Sequence, residues 1–163
     1  MIHKAIKWII PVTLIFAGCY TQKSGNKENV NAGAGKLVTR LQIAARSAST
    51  ESAFLLFTVV NNTDKAQRFC KWETPFEPRL GKYFEIVDNQ GNEATFKGAM
   101  ARRVMPPPPE AYMIVPAHGS VKTTINLANN YELKAKKYTV SYTGGGVSGL
   151  NAGNLVKLNL KRL

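Results

Sequence analysis

The sequence has few of the residues from which metal and nucleophilic sites are built. Only two histidines and two cysteines occur among its 163 residues, and no HExxH motif is present. His3 lies at the N-terminus, and His118 stands alone in a Pro-Ala-His-Gly turn. Cys70 lies in an alternating segment and is interpreted as a small buried residue, the alternative being a reactive thiol. We therefore expect no catalytic residues, no metal and no cofactor.

Other catalytic patterns are missing as well. The ten acidic residues occur singly, so no carboxylate pair suggests glycoside hydrolysis. Gly144-Gly145-Gly146 is followed by neither the lysine nor the helix start of a phosphate-binding loop. We interpret that stretch as a long flexible hairpin loop. An enzyme is the least favoured class of function.

The chain also lacks long runs of one kind. No apolar run approaches the roughly 20 residues that cross a bilayer, and no five basic residues stand together. The formal charge is nevertheless +12, spread along the chain with short pairs at Arg102-Arg103 and Lys136-Lys137. Such a charge favours proximity to an anionic surface, whereas nucleic acid is not expected as a partner of an exported protein.

No segment has a convincing helical period. The chain contains short segments in which apolar and polar residues alternate, separated by turn residues. The run 53–60 predicts a central strand. A hairpin is expected from 83–88 and 93–97, a short strand from 100–104, and an extended proline segment from 106–109. The spacing predicts an all-β fold, an immunoglobulin-like antiparallel β-sandwich of about eight strands. Tyr138 is expected to bond the backbone upstream of it, as in a tyrosine corner.

The N-terminus has the pattern of an export signal. Lys4 and Lys7 precede a short apolar run, and small residues precede Cys19, as in a secretory signal peptide. The sequence Phe16-Ala17-Gly18-Cys19 resembles the lipobox of bacterial lipoproteins, although leucine is commoner where Phe16 stands. An ordinary signal peptide with a chance cysteine is the alternative.

These patterns divide the chain into three parts. Residues 1–18 are predicted to be a lipoprotein signal peptide, 19–35 a flexible linker from the lipidated cysteine, and 36–163 the sandwich domain. The resemblance to lipoproteins implies a lipid anchor at Cys19 and a place in the bacterial cell envelope. Tyr20, unlike an aspartate there, implies the outer membrane if the cell is Gram-negative.

The stretch 69–112 contains the aromatic, arginine and proline residues most suited to binding. Exposed aromatics and arginines are common anchors of protein interfaces, so we take Trp72, Arg102, Arg103 and Tyr112 as candidate binding residues. The alternative is that Trp72 and Tyr112 cap the core while the two arginines form a solvated edge.

A series of motifs in fixed order extends over residues 37–143. It comprises Phe69-Cys70-Lys71-Trp72-Glu73-Thr74-Pro75, Phe84-Glu85-Ile86 with Gly91, Phe96-Lys97-Gly98, Ala101-Arg102-Arg103, Pro109-Glu110-Ala111-Tyr112, Val115-Pro116, Gly119-Ser120-Val121, Ile125-Asn126-Leu127 with Tyr131, and Tyr138-Thr139-Val140-Ser141-Tyr142. This series resembles the non-catalytic N-terminal β-sandwich domain of bacterial deuterolysin-like and peptidyl-Lys metalloendopeptidases. The zinc domain of those enzymes has no counterpart here, so their activity is not implied.

Together these features predict a lipid-anchored, non-catalytic envelope protein. Its partners would be the membrane, through the anchor, and a protein, with a peptidase as one candidate. The alternative is an exported proteinase inhibitor or a peptidase-accessory domain, with the 106–110 segment or the glycine-rich loop as the inhibitory wedge.

Overall fold

The computed structural model describes residues 37–44, 53–77 and 80–160. The predicted signal peptide, the linker and Cys19 lie outside these residues. Within them the chain forms ten strands: β1 (Leu37–Ile43), β2 (Phe54–Asn61), β3 (Gln67–Cys70), β4 (Phe84–Asp88), β5 (Thr95–Phe96), β6 (Tyr112–Val115), β7 (Ser120–Asn126), β8 (Tyr131–Glu132), β9 (Lys137–Tyr142) and β10 (Val156–Asn159). Two short 3-10 helices, Pro109–Ala111 and Leu127–Asn129, complete the described elements.

Two antiparallel three-stranded sheets form the body of the domain, in the orders β1-β2-β7 and β10-β9-β4. Their apolar side chains meet in one core cluster. Leu55, Phe57 and Val59 of β2 are wholly buried in it, because successive side chains of a strand point to opposite faces. The predicted all-β antiparallel sandwich is confirmed, with β2 in the centre of its sheet as expected.

The predicted hairpin after β4 forms at its turn and at the first residues beyond it, where Val87 pairs with Glu93 and the Ala94 N–H donates to the Ile86 carbonyl at 2.8 Å. The Asp88 carboxylate accepts hydrogen bonds from the backbone N–H groups of Gln90 and Asn92, and Gly91 supplies the positive φ of 89° that the turn needs. β5 then leaves β4 and pairs with β8, since the Phe96 ring packs edge-on against Tyr131. The expected hairpin is therefore confirmed at 93–94 and corrected at 95–96, which pair with β8.

Three smaller expectations have different outcomes. The strand expected at 100–104 does not form, and this stretch has no regular structure. The extended proline segment ends earlier than expected, because Pro109 begins a 3-10 helix. The hydrogen bond expected of Tyr138 is confirmed: the backbone N–H of Ala135 donates to its hydroxyl oxygen at 2.6 Å.

The glycine-rich segment between β9 and β10 is bound to the edge of β1. The Asn154 amide accepts from the Leu41 N–H at 2.8 Å and donates to the Leu41 carbonyl at 2.9 Å. The Thr39 hydroxyl donates to the Asn151 carbonyl at 2.8 Å. Leu150 is buried in the core. We call this contact of 150–154 with β1 the seam; it directly follows the stretch 143–149 that was expected to be a glycine-rich hairpin loop.

Three core tyrosines predict how the fold responds to high pH. Burial raises the pKa of Tyr131 and Tyr142 to about 12 and raises the pKa of Tyr83 above its ordinary value as well. A raised pKa in the folded state means that these groups stabilise the fold fully below pH about 10, and that this stabilisation is lost as the pH rises through the folded-state values.

We therefore expect these tyrosines to ionise only as the protein unfolds. In an alkaline titration, part of the increase in absorbance at 295 nm should coincide with the loss of the circular dichroism signal, above pH about 10. In urea, all six tyrosines of the sequence should titrate together. Ionisation of all tyrosines near pH 10, with the circular dichroism signal retained, would contradict this prediction.

Candidate functional site

The structure brings Trp72, Arg103 and Tyr112 together and leaves Arg102 apart in solvent. Trp72 is only 7% exposed, so it is not the exposed anchor that the sequence suggested. It forms a small cluster with Cys70 and Ala111, against which Tyr112 packs. Cys70 is itself buried, as expected of a small apolar residue.

An arginine covers the tryptophan from outside. The guanidinium carbon of Arg103 lies 4.7 Å from the centroid of the Trp72 ring, within the range of a cation–π contact. Arg103 also forms an ion pair with the Glu77 carboxylate. Both charged side chains are about three-quarters buried. This Glu77–Arg103–Trp72 group, which we call the arginine clamp, therefore holds residue 103 against the sandwich.

The turn after β3 positions two members of the clamp. The Thr74 hydroxyl donates to the Lys71 carbonyl at 2.6 Å and accepts from the Phe76 N–H at 3.3 Å, and Thr74 is completely buried. The Lys71 N–H donates to the Ala111 carbonyl at 2.8 Å. These hydrogen bonds fix the turn that carries Trp72 and Glu77 without any contribution from Arg103.

A second cation–π contact lies beside the clamp on the small β3–β6 sheet. The Arg68 guanidinium carbon is 4.8 Å from the centroid of the Tyr112 ring. Tyr112 pairs with Cys70 across the two strands. Tyr112 is therefore partly covered. Trp72 and Tyr112 belong to the small cluster around Cys70 and not to the main core, and only Arg102 of the two arginines is solvated, so the alternative interpretation of these four residues holds in part.

An apolar loop projects next to the clamp. Met100 is 72% exposed, Val104 84% and Met105 60%. Arg102, between them, is exposed and forms no ion pair with any described residue. Just before this stretch, the Ala99 carbonyl accepts a hydrogen bond from the Gly81 N–H at 2.8 Å. Within the stretch, Arg103 is fixed by its contacts with Glu77 and Trp72. We call this stretch the 100–105 loop.

Sequence reasoning found the arginines of this loop but missed its apolar side chains. Met100 and Val104 belong to the stretch 100–104 that was predicted as a strand, in which alternate residues would be covered, and Met105 directly precedes the predicted proline segment. A signal for the loop was present, because the prolines from Pro106 onward cannot join a central ladder.

The remaining candidates for chemistry lie apart from one another. His118 occupies the expected turn with φ of 51°, and its Nε2 lies 2.7 Å from the Asp64 carboxylate in an exposed position. Among the residues that the structure describes, no three His, Cys, Asp or Glu side chains are placed to hold a metal ion. No helix in the same part of the chain is long and apolar enough to cross a membrane.

Comparison with known proteins gives one informative similarity. No family model matches the chain. An uncharacterized secreted protein of the fungus Arthroderma benhamiae is 35% identical over 89 residues. The match covers 51% of this chain and 45% of the fungal protein, so it extends over less than half of that relative. The relative is described as secreted, which agrees with the export signal predicted at the N-terminus of the present chain.

Proposed function

We propose that this protein is an exported, lipid-anchored and non-catalytic component of the cell envelope, and that its sandwich binds another protein through the 100–105 loop. The lipobox-like sequence ending at Cys19 supports the lipid anchor, and the similarity to a secreted protein supports export. The observation that carries the second part is the loop itself, which presents three large apolar side chains to solvent. Peptidases are the first candidates for the partner, because of the resemblance to domains that precede metalloendopeptidase domains.

The physical argument concerns preorganisation. Apolar side chains in solvent mark interaction surfaces when they are grouped, and a loop held in place loses less conformational entropy on binding. The arginine clamp and the Gly81–Ala99 hydrogen bond hold the 100–105 loop without using any of its apolar side chains. Arg102 adds a charge at the edge of the surface, where it would favour a partner with an acidic rim.

An exported proteinase inhibitor is the second candidate, and one observation favours it. The segment from Ala99 to Ala111 is held at both ends, since the Ala99 carbonyl accepts from the Gly81 N–H and the Ala111 carbonyl accepts from the Lys71 N–H, each at 2.8 Å. A loop held at both ends can enter a cleft at small entropic cost. The glycine-rich segment fits this role less well, because the seam ties it to β1.

The anchor is tested by Cys19→Ala. We expect the wild-type chain to incorporate a palmitate analogue and to fractionate with membranes, and the variant to do neither. Membrane fractionation of the variant together with undiminished labelling would contradict the lipid anchor and leave the loop proposal standing.

The loop is tested by replacing Met100, Val104 and Met105 together by serine. The wild-type chain and the control Leu155→Ser, which alters an equally exposed apolar residue outside the loop, should retain the same protein from envelope extracts. The triple variant should bind it at least about thirtyfold more weakly, the loss typical of an interface hot spot. Equal retention by all three chains, with equal melting temperatures, would refute the loop as the binding surface.

A further inference from the structure

A groove of about 300 Å³ lies on the outer face of the β1-β2-β7 sheet. Its lining comes from these three strands and from the turn before β7, namely Arg40, Gln42, Thr58, Val60, His118, Gly119, Ser120 and Lys122. The strand register places Arg40 opposite Thr58, and Thr58 opposite Lys122. These three residues therefore form one row across the sheet, with the threonine in the middle.

The row carries positive charge without a counterion. Neither Arg40 nor Lys122 forms an ion pair with a described residue, and no Asp or Glu lines the groove. His118, which also lines the groove, is paired with Asp64. Two cations on a face without acids attract an anion and hold it in a defined place.

The floor of the groove offers a further donor. Thr58 is 7% exposed, and its hydroxyl makes no hydrogen bond within the described part of the chain. Neighbouring strands are about 4.8 Å apart, so the Cα atoms of Arg40 and Lys122 are separated by about 10 Å. Side chains of this length can reach a single group bound over Thr58.

We propose that this groove binds a phosphate group, carried by a small phosphate ester or by a phospholipid headgroup. An arginine fork, a lysine ammonium and a hydroxyl donate from different directions, which suits the several oxygens of a tetrahedral phosphate better than a planar carboxylate. The groove shares no residue with the 100–105 loop, so this inference stands independently of the proposed protein partner.

The test is a titration of the isotopically labelled chain, followed by NMR at constant ionic strength with chloride as the balancing anion. The probes are inorganic phosphate, glycerol phosphate, and phosphatidylcholine vesicles with or without phosphatidylglycerol. We expect saturable shifts of the Thr58 and Ser120 amide signals. Saturation with glycerol phosphate identifies a soluble ester as the source, whereas a response restricted to phosphatidylglycerol vesicles identifies the headgroup.

Variants separate a site from general charge attraction. Arg40→Gln and Lys122→Gln should each weaken binding about tenfold, the effect of one charge-assisted hydrogen bond. Thr58→Val keeps the charge and the shape and should weaken binding about threefold. Lys157→Gln removes the same charge from β10, in the other sheet, and should leave binding unchanged.

Two results would overturn the proposal. One is the absence of saturable shifts in the groove with all four probes. The other is equal weakening by Lys157→Gln and by the groove variants, since that would show attraction to the net charge of the whole chain and no phosphate site.

Discussion

Phe57→Ala is expected to lower the free energy of unfolding by about 4 kcal/mol, the usual cost of removing a buried phenyl group. Phe57 is 0% exposed and lies on the central strand β2. Its ring centroid is 4.9 Å from that of Tyr142 and 6.0 Å from that of Phe76. The substitution would leave a cavity between the two sheets. Phe76 and Tyr142 could fill it only by giving up their own contacts with Phe69 and Phe84.

The control for this prediction is the neighbouring residue on the same strand. Leu56 points to the outer face and is half-buried, so Leu56→Ala should cost about 1 kcal/mol. The measurement is denaturant unfolding followed by fluorescence and by circular dichroism, with coincident transitions. Equal losses for the two variants would mean that Phe57 does not lie between the sheets.

Gly153→Ala is expected to destabilise the protein by about 2 to 3 kcal/mol, although it adds only one methyl group. A Cβ at this position would lie 2.5 Å from the Thr39 carbonyl oxygen and 2.7 Å from its hydroxyl oxygen. The carbonyl belongs to β1 and cannot rotate away as a side chain could. The backbone at residue 153 would have to move away from β1, and this movement would strain the adjacent Asn154–Leu41 hydrogen bonds.

Gly146→Ala is the matched control, since a Cβ there meets nothing within 4 Å. It should change the melting temperature by a degree or so at most, whereas Gly153→Ala should lower it by roughly 8 °C. A neutral effect of Gly153→Ala would show that the 150–154 segment does not lie against β1.

The sequence was sufficient for the regular strands but not for their irregular neighbours. A continuous apolar run over 53–60 located β2, and alternation over 137–142 located β9. Both strands bury one face in a common core. The two-residue strand β8 was not predicted, since a segment of that length carries no period. β5 lies within the strand expected at 93–97, but it pairs with β8 and not with β4. Phe96 pairs with Tyr131, and this contact joins residues 35 positions apart, so the local pattern around 93–97 does not indicate it.

The candidate site was predictable in part. Composition drew attention to Trp72, Arg102, Arg103 and Tyr112, and the structure places three of them together. Nothing in the local sequence distinguishes Arg103, which covers the tryptophan, from Arg102, which faces solvent. That difference is set by Glu77, a residue 26 positions away, and by the turn that Thr74 holds in place.

The seam has a further consequence for an exported protein at high local concentration. The free edge of a sheet presents unpaired N–H and C=O groups on which strands of other molecules can add, a common route to aggregation. At Leu41 both groups are occupied by the amide of a single asparagine, Asn154, and Gly153 closes over the Thr39 carbonyl next to it. The side chain of one residue thus imitates a neighbouring strand and blocks edge-to-edge growth of the sheet at β1.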